Sequence, residues 1–402
     1  MITEQHKTRT LKLNFDLQGA MTGFGSASRA TPAHHRIAKY YASPLLMGPP
    51  PSDGLLDIVT HMFTEEEAEL VMFLPPLRPR TAAKVARLAG RPAGEVERVL
   101  HNLGFNKMVI LASGQPRKYT LMPIVPGTFE MALMTNDLST RNTWHQRFAE
   151  LFEPLWETGY LAQYPLDIKH APVRYLPVGG VAKTLHMAWP SDLLEQVLEP
   201  YKDFAVGHCQ CRMAMMLVGK GCGKATENCT VFGPMVKPLV ERGMMRRVDK
   251  QEIIAIKHAA ELEGSVTWMM NENDDHRGNG SCSCCGCCCH ALRAVKSFNT
   301  PGMLSRPHFL PARDAATCTL CGKCVKACPM EAWTLADKVL TFNQPRCIGC
   351  GLCTLSCKVG ALSLEPVPDA QPPNESFNKL MLGMTPSYLK NSFRIWVKRL
   401  FA

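Results

Sequence analysis

No stretch of the 402-residue chain approaches the roughly 20 consecutive apolar residues that a membrane-spanning helix needs. The segment from Met1 to about Ala33 is polar and basic and lacks the apolar core of a secretory signal, so a cytoplasmic location is expected. Glycine-rich nucleotide fingerprints of the G-x-G-x-x-G or P-loop kind are also missing, which leaves a bound nucleotide without a visible seat. No Ser/His/Asp constellation and no H-E-x-x-H motif stands out, so side-chain hydrolysis has no visible machinery. The formal net charge is +10, a figure that counts every thiol as neutral; loading the thiols with metal would lower it. Basicity of this size does not by itself imply nucleic acid.

What the chain has is cysteine, 18 residues of it. In a long chain with no signal segment, such thiols are expected to be reduced metal ligands, not disulfides. The most ordered run is Cys318-x2-Cys321-x2-Cys324-x3-Cys328-Pro329, repeated as Cys347-x2-Cys350-x2-Cys353-x3-Cys357. This is the spacing of bacterial two-cluster ferredoxins. Three thiolates at three-residue intervals can wrap one [4Fe-4S] cubane, while the fourth, past a helical turn, points toward the partner cluster. Cluster one is therefore assigned to Cys318, Cys321, Cys324 and Cys357, and cluster two to Cys347, Cys350, Cys353 and Cys328. The halves repeat at an offset of 29 residues, with Gly322 matching Gly351, Ala332 matching Ala361 and Leu335 matching Leu364. Zinc also takes Cys-x2-Cys pairs, but it needs two pairs and not a duplicated run of three. Cys357 is followed by Lys358 where Cys328 has Pro329; a cation there favours the reduced form of cluster one.

Two further cysteine groups precede this run. Cys209, Cys211, Cys222 and Cys229 have the count of a third cluster site, with Arg212 placed to offset thiolate charge. Cys282, Cys284, Cys285, Cys287, Cys288 and Cys289 crowd six thiols into eight residues, and a subset could hold a further cluster or reach toward the Cys209 group. Zinc is the alternative occupant of both groups. The approach Gly278-Asn279-Gly280 reads as a loop.

The predicted fold is α+β and multidomain: an extension over 1–54, a winged-helix-like module over 55–125, a mainly helical Cys-rich domain over 126–310, a two-cluster ferredoxin domain over 311–365, and a Pro-rich linker with a basic amphipathic helix over 366–402. Thr64-x-x-Glu67 reads as a capping box, and Gly90 as the stop of a helix beginning near Thr81. A third helix over Ala93 to Leu103 carries Glu95 and Glu97, a poor surface for phosphates, so no nucleic-acid partner is expected. Phe148, Leu151, Phe152, Leu155 and Trp156 recur at helical spacing and read as core. Thr385 is expected to cap a last helix with Pro386 at its first position; Leu389, Phe393, Trp396, Val397, Leu400 and Phe401 share a face, beside Lys390, Arg394 and Lys398. That pattern suits a membrane surface or a groove on a membrane-complex partner.

From Leu55 to Leu364 the chain resembles a bacterial and archaeal group of 4Fe-4S dicluster ferredoxin-like proteins. The resemblance rests on Phe63-Thr-Glu-Glu-Glu-Ala-Glu-Leu70, Leu121-Met-Pro-Ile124, Arg174-Tyr-Leu-Pro-Val178, Cys209-Gln-Cys211-Arg212, Gly221-Cys222, Glu227-Asn-Cys229 and the Cys282 group. Two positions depart from the family's pattern, Ser283 in place of asparagine and Lys358 in place of proline. The resemblance implies iron–sulfur binding and electron transfer, with donor and acceptor on redox partner proteins, and it supplies no substrate. Two other classes remain: a redox-sensing regulator acting through the winged helix, and an enzyme built on an unusual cluster at 282–289.

Overall fold

Local signals in the sequence become local structure first. In a computed structural model describing residues 30–182, 185, 188–273, 279–300 and 302–400, Thr64 Oγ1 accepts from the Glu67 N–H while Glu67 Oε2 accepts from the Thr64 N–H. This reciprocal cap opens helix α3 (Glu65–Val71), which follows α1 (Pro32–Tyr41) and α2 (Asp53–Met62). Helix α4 (Ala82–Ala89) ends at Gly90, whose φ of 65° is the left-handed turn that lacks a side-chain penalty. Helix α5 (Ala93–Phe105) leads into an antiparallel pair, β1 (Leu111–Ser113) with β2 (Lys118–Thr120). Helix α6 (Thr143–Glu157) buries Phe148, Leu151, Phe152, Leu155 and Trp156, as its apolar stripe requires. Residues 1–29 lie outside the described part, but the expected extension ends earlier than position 54. Ala33, Ile37, Ala38 and Tyr41 bury one face of α1, a helical spacing that the polar average of the segment conceals.

The chain divides into two compact units. One runs to Tyr164 and takes up Met213–Gly221 and the residues from Tyr388; the other comprises Pro165–Arg212 and Cys222–Ser387. The second unit holds every cysteine. Its centre is a six-stranded antiparallel sheet of β3 (Val173–Tyr175), β4 (Phe204–His208), β5 (Glu227–Phe232), β6 (Arg246–Val248), β7 (Val266–Met270) and β8 (Asn279–Cys284), in the order β3-β7-β8-β5-β4-β6. The mainly helical character expected over 126–310 is thus corrected to a mixed one. These strands are only three to six residues long, too short for a clear alternation, and β8, a central one that carries Cys282 and Cys284, is built of Asn, Gly, Ser and Cys instead of β-branched residues. The same correction applies to the glycine-rich approach to Cys282. Asn279 and Gly280 begin β8, which pairs with β5 and β7, and Gly278 is outside the described residues. Helices α7 (Gln210–Leu217), α8 (Lys250–Leu262) and α9 (His290–Phe298) follow β4, β6 and β8 in the chain.

The ferredoxin segment pairs β9 (Phe309–Arg313) with β12 (Leu362–Pro366) and β10 (Trp333–Ala336) with β11 (Val339–Phe342). Short helices α10 (Lys323–Ala327) and α11 (Leu352–Ser356) begin after Gly322 (φ 70°) and Gly351 (φ 75°). The internal repeat is visible as one contact made twice. A Cβ on Gly322 would stand 3.4 Å from Leu335, and one on Gly351 3.1 Å from Leu364.

The last helix, α12 (Phe377–Leu400), differs from expectation. It passes straight through Thr385 and Pro386, and Thr385 Oγ1 donates to the Met381 carbonyl instead of capping a new start. Proline at 386 removes one backbone donor, and the helix bridges the gap because bonds on either side continue the ladder. Leu382, Leu389, Phe393 and Trp396 are exposed, while Leu380, Met384 and Ile395 are buried. The Leu400 side chain and Phe401 are outside the described residues.

Candidate metal centres

The duplicated run lines two small, partly open cavities. Cys318, Cys321, Cys324 and Cys357 line one, together with Leu320, Leu340, Ala361 and Leu362. Cys328, Cys347, Cys350 and Cys353 line the other, with Pro329, Met330, Ile348 and Leu352. Each cavity takes its fourth thiol from the opposite run because α10 and α11 lie side by side and carry Cys328 and Cys357 across. Backbone donors reach sulfur in the second cavity: Ala332 N–H to Cys328 Sγ at 3.3 Å, and Gly349 N–H to Cys347 Sγ at 3.4 Å. Gly349 is held at φ 67°, and a Cβ there would stand 2.6 Å from Pro307, so the loop closes only around glycine.

Burial pushes the Cys347 thiol up to about 11, Cys353 up to about 12 and Cys350 well above its ordinary value. Apolar walls oppose bare thiolates, so a cationic centre is needed to hold these three sulfurs deprotonated together. Four convergent thiols, apolar walls and N–H donors aimed at sulfur fit the donor set of a [4Fe-4S] cluster. The two cavities differ in access: Cys321 is exposed, whereas Cys350 and Cys353 are buried.

The ten other cysteines sort themselves across the sheet. Cys209 follows β4, Cys229 is in β5, and Cys282 and Cys284 are in β8; antiparallel pairing brings these strand ends to one edge. The register Thr230↔Ser281 continues to Cys229 opposite Cys282, whose sulfurs lie 3.8 Å apart. The Cys211 thiol lies beside those of Cys209 and Cys289, and Cys289 beside Cys284. A separate nest contains Cys222, Cys285, Cys287 and Cys288, all four sulfurs within 4.8 Å of one another. The structure therefore does not gather Cys209, Cys211, Cys222 and Cys229 into one set. It splits the 282–289 group as well, sending Cys282, Cys284 and Cys289 one way and Cys285, Cys287 and Cys288 the other. Strand β8 ends at Cys284 and helix α9 begins at His290, so the turn between them faces the loop that carries Cys222.

Two buried cations serve these nests. Arg212, in α7, donates to Ser265 Oγ at 2.8 Å, to the Ser283 carbonyl at 2.9 Å and to the Ala225 carbonyl. Burial lowers its pKa, but the neighbouring thiol groups of Cys209 and Cys285 raise it by more, so the guanidinium stays charged. Lys257, on the buried face of α8, donates to the carbonyls of Asn228 at 3.1 Å and Ser281 at 2.7 Å. Burial lowers its pKa to about 8 against the opposing pull of Cys282 and Cys229. Lys257 belongs to no motif; its signal in the sequence is a lysine in register with Ile253, Ala260 and Glu261 on a buried helical face. One apolar cluster containing Val178, Met330 and Ile348 packs Cys284, Cys289 and Cys350 together, with Cys282 and Cys328 against it.

Comparison with known proteins places the clearest likeness at this C-terminal run. A 4Fe-4S dicluster domain model matches residues 310–358. An uncharacterised ferredoxin of Methanocaldococcus jannaschii is 30% identical over 90 residues, covering 22% of this chain and 52% of that protein. Hydrogenase-4 component A of Escherichia coli is 30% identical over 89 residues, covering 20% of this chain and 42% of that protein. A shorter M. jannaschii ferredoxin is 40% identical over 47 residues, which is 11% of this chain and 76% of the relative. The chain thus spans about half or less of the length of the first two relatives. No solved structure matches significantly.

Proposed function

Because the chain belongs to the 4Fe-4S dicluster ferredoxin family, we propose that it is an electron-transfer subunit of a larger redox complex. When bound in the two cavities, [4Fe-4S] clusters supply one-electron exchange. The observation that carries the reading is the pair of crossed four-cysteine cavities, one near the surface through Cys321 and one backed by the core that also holds Cys284 and Cys289. Exposed Cys321 gives a partner protein a close approach. The buried side of the second cavity adjoins the six-thiol nest of Cys209, Cys211, Cys229, Cys282, Cys284 and Cys289, for which a third cluster is the proposed occupant. The helices and hairpin over 55–125 are proposed as a winged-helix-like docking module and not a DNA reader. Glu97 accepts from Tyr119 Oη, and Arg91 pairs with Glu95, so acidic groups stand where phosphates would lie.

Anaerobically purified protein is expected to contain about twelve irons and about twelve sulfides per chain, four of each per cluster. About eight of each would remove the third cluster, and fewer would overturn the two-cavity reading.

A peripheral site on an anionic membrane surface is proposed for α12, although among the described residues no helix is long and apolar enough to cross a membrane. Phe393 is 67% exposed and Trp396 55%, next to exposed Lys390 and Lys398. Arg394 and Arg399 are engaged elsewhere, by the carbonyls of Gln163 and Ala42, so they anchor the helix and leave its aromatic side outward. The full chain should sediment with vesicles containing anionic lipid. A Leu389→Ser, Phe393→Ser, Trp396→Ser variant should lose at least tenfold in partitioning, since each apolar side chain contributes roughly 1 to 2 kcal/mol. Absence of vesicle binding by the full chain would reject the membrane and leave these residues to a protein groove.

A further inference from the structure

The four sulfurs of Cys222, Cys285, Cys287 and Cys288 are packed more closely than a cubane allows. Cys222 and Cys285 Sγ are 4.0 Å apart, Cys287 and Cys288 Sγ 3.8 Å, and the whole set lies within 4.8 Å. Ligands on one tetrahedral ion with metal–sulfur bonds of about 2.3 Å stand roughly 3.8 Å from one another. Thiolates on the four corners of a [4Fe-4S] cubane must stand roughly 6 Å apart, because the inorganic core separates the irons. The molecule carries its own comparison. Among the described residues no three thiols of either ferredoxin cavity approach within the distance that gathers this nest.

We propose that Cys222, Cys285, Cys287 and Cys288 bind one zinc ion as a closed, redox-inert tetrathiolate site. Four Zn–S bonds form and the thiol protons pass to solvent, with no electron transferred. The net charge of the loaded site is negative, and Arg212, beside Cys222 and Cys285, is the cation that offsets it. Zinc is preferred to mononuclear iron because divalent zinc binds the same soft donors more tightly. The site's position supplies its role. It ties the loop carrying Cys222 to the turn Cys285–Cys288, and that turn is pressed on the ferredoxin segment. A Cβ on Gly286 would stand 2.3 Å from the Pro329 carbonyl, and Lys296 bridges the Gly286 carbonyl and Glu331 at 3.0 Å each. Pro329 directly follows Cys328, so the ion would brace the wall of the second ferredoxin cavity.

Metal analysis of the anaerobically purified full chain should find about one zinc per chain besides the iron. Zinc K-edge absorption of that protein should show four sulfur neighbours at about 2.3 Å and no nitrogen or oxygen. The double variant Cys222→Ser, Cys287→Ser should lose the zinc while keeping its iron and its [4Fe-4S] spectra. Zinc with oxygen or nitrogen ligands, a mononuclear high-spin ferric signal without zinc, or loss of about four irons in the variant would each overturn the assignment. The wild-type absorption measurement decides even if the variant fails to fold.

Discussion

Replacing Cys328 by alanine is expected to remove the cluster of the cavity formed with Cys347, Cys350 and Cys353, although Cys328 belongs to the first run in the sequence. About four irons should be lost, and the spectra of the centre at Cys318, Cys321, Cys324 and Cys357 should persist. The reason is geometric: Cys328 lines the same cavity as the second run and receives the Ala332 N–H at 3.3 Å. Cys357→Ala should give the mirror result and spare the second cavity. If Cys328→Ala instead removed the signals of the Cys318 set, the crossed pairing would be refuted.

Lys257→Met is expected to have the next largest effect, and it acts on the six-thiol nest. The substitution keeps the length of the side chain but deletes a buried positive charge and two hydrogen bonds. Two unit charges roughly 5 Å apart at an effective dielectric of about 20 interact by about 3 kcal/mol. A centre in this nest should therefore become harder to reduce, with its potential moving negative by on the order of 100 mV. Loss of the lysine donor at the Asn228 carbonyl should also cost about 1 to 3 kcal/mol in stability, while the Ser281 carbonyl keeps the Thr230 hydroxyl at 3.0 Å. Lys257→Arg, which retains the charge, should recover most of the potential, a result that a purely structural role would not produce. Potentials unchanged in Lys257→Met, with iron content also unchanged, would place no redox centre beside this lysine.

Both predictions depend on which thiols meet, and that information is unevenly written in the chain. In the ferredoxin run the ligands lie within 40 positions of each other and repeat on a fixed spacing, so their pairing is legible from that spacing alone. The capping box at Thr64 and Glu67 and the stripe of α6 are equally legible, because a helix is set by residues three and four apart. Pro386 misleads for the same reason: a local signal for a helix start loses to the helix already formed from Phe377.

The sequence by itself determined that the chain carries a duplicated run of cysteines with the spacing of a 4Fe-4S dicluster domain, and that its helices bury particular apolar faces. Tertiary structure alone decided how the other ten cysteines are shared. Cys222 meets Cys285, and Cys229 meets Cys282, across separations of 63 and 53 residues, through the order β7-β8-β5-β4 and the break from strand to helix after Cys284. Strand order and cross-strand register are long-range properties, set by which sheet edges pair and which faces pack. Cysteine spacing along the chain carries no record of them.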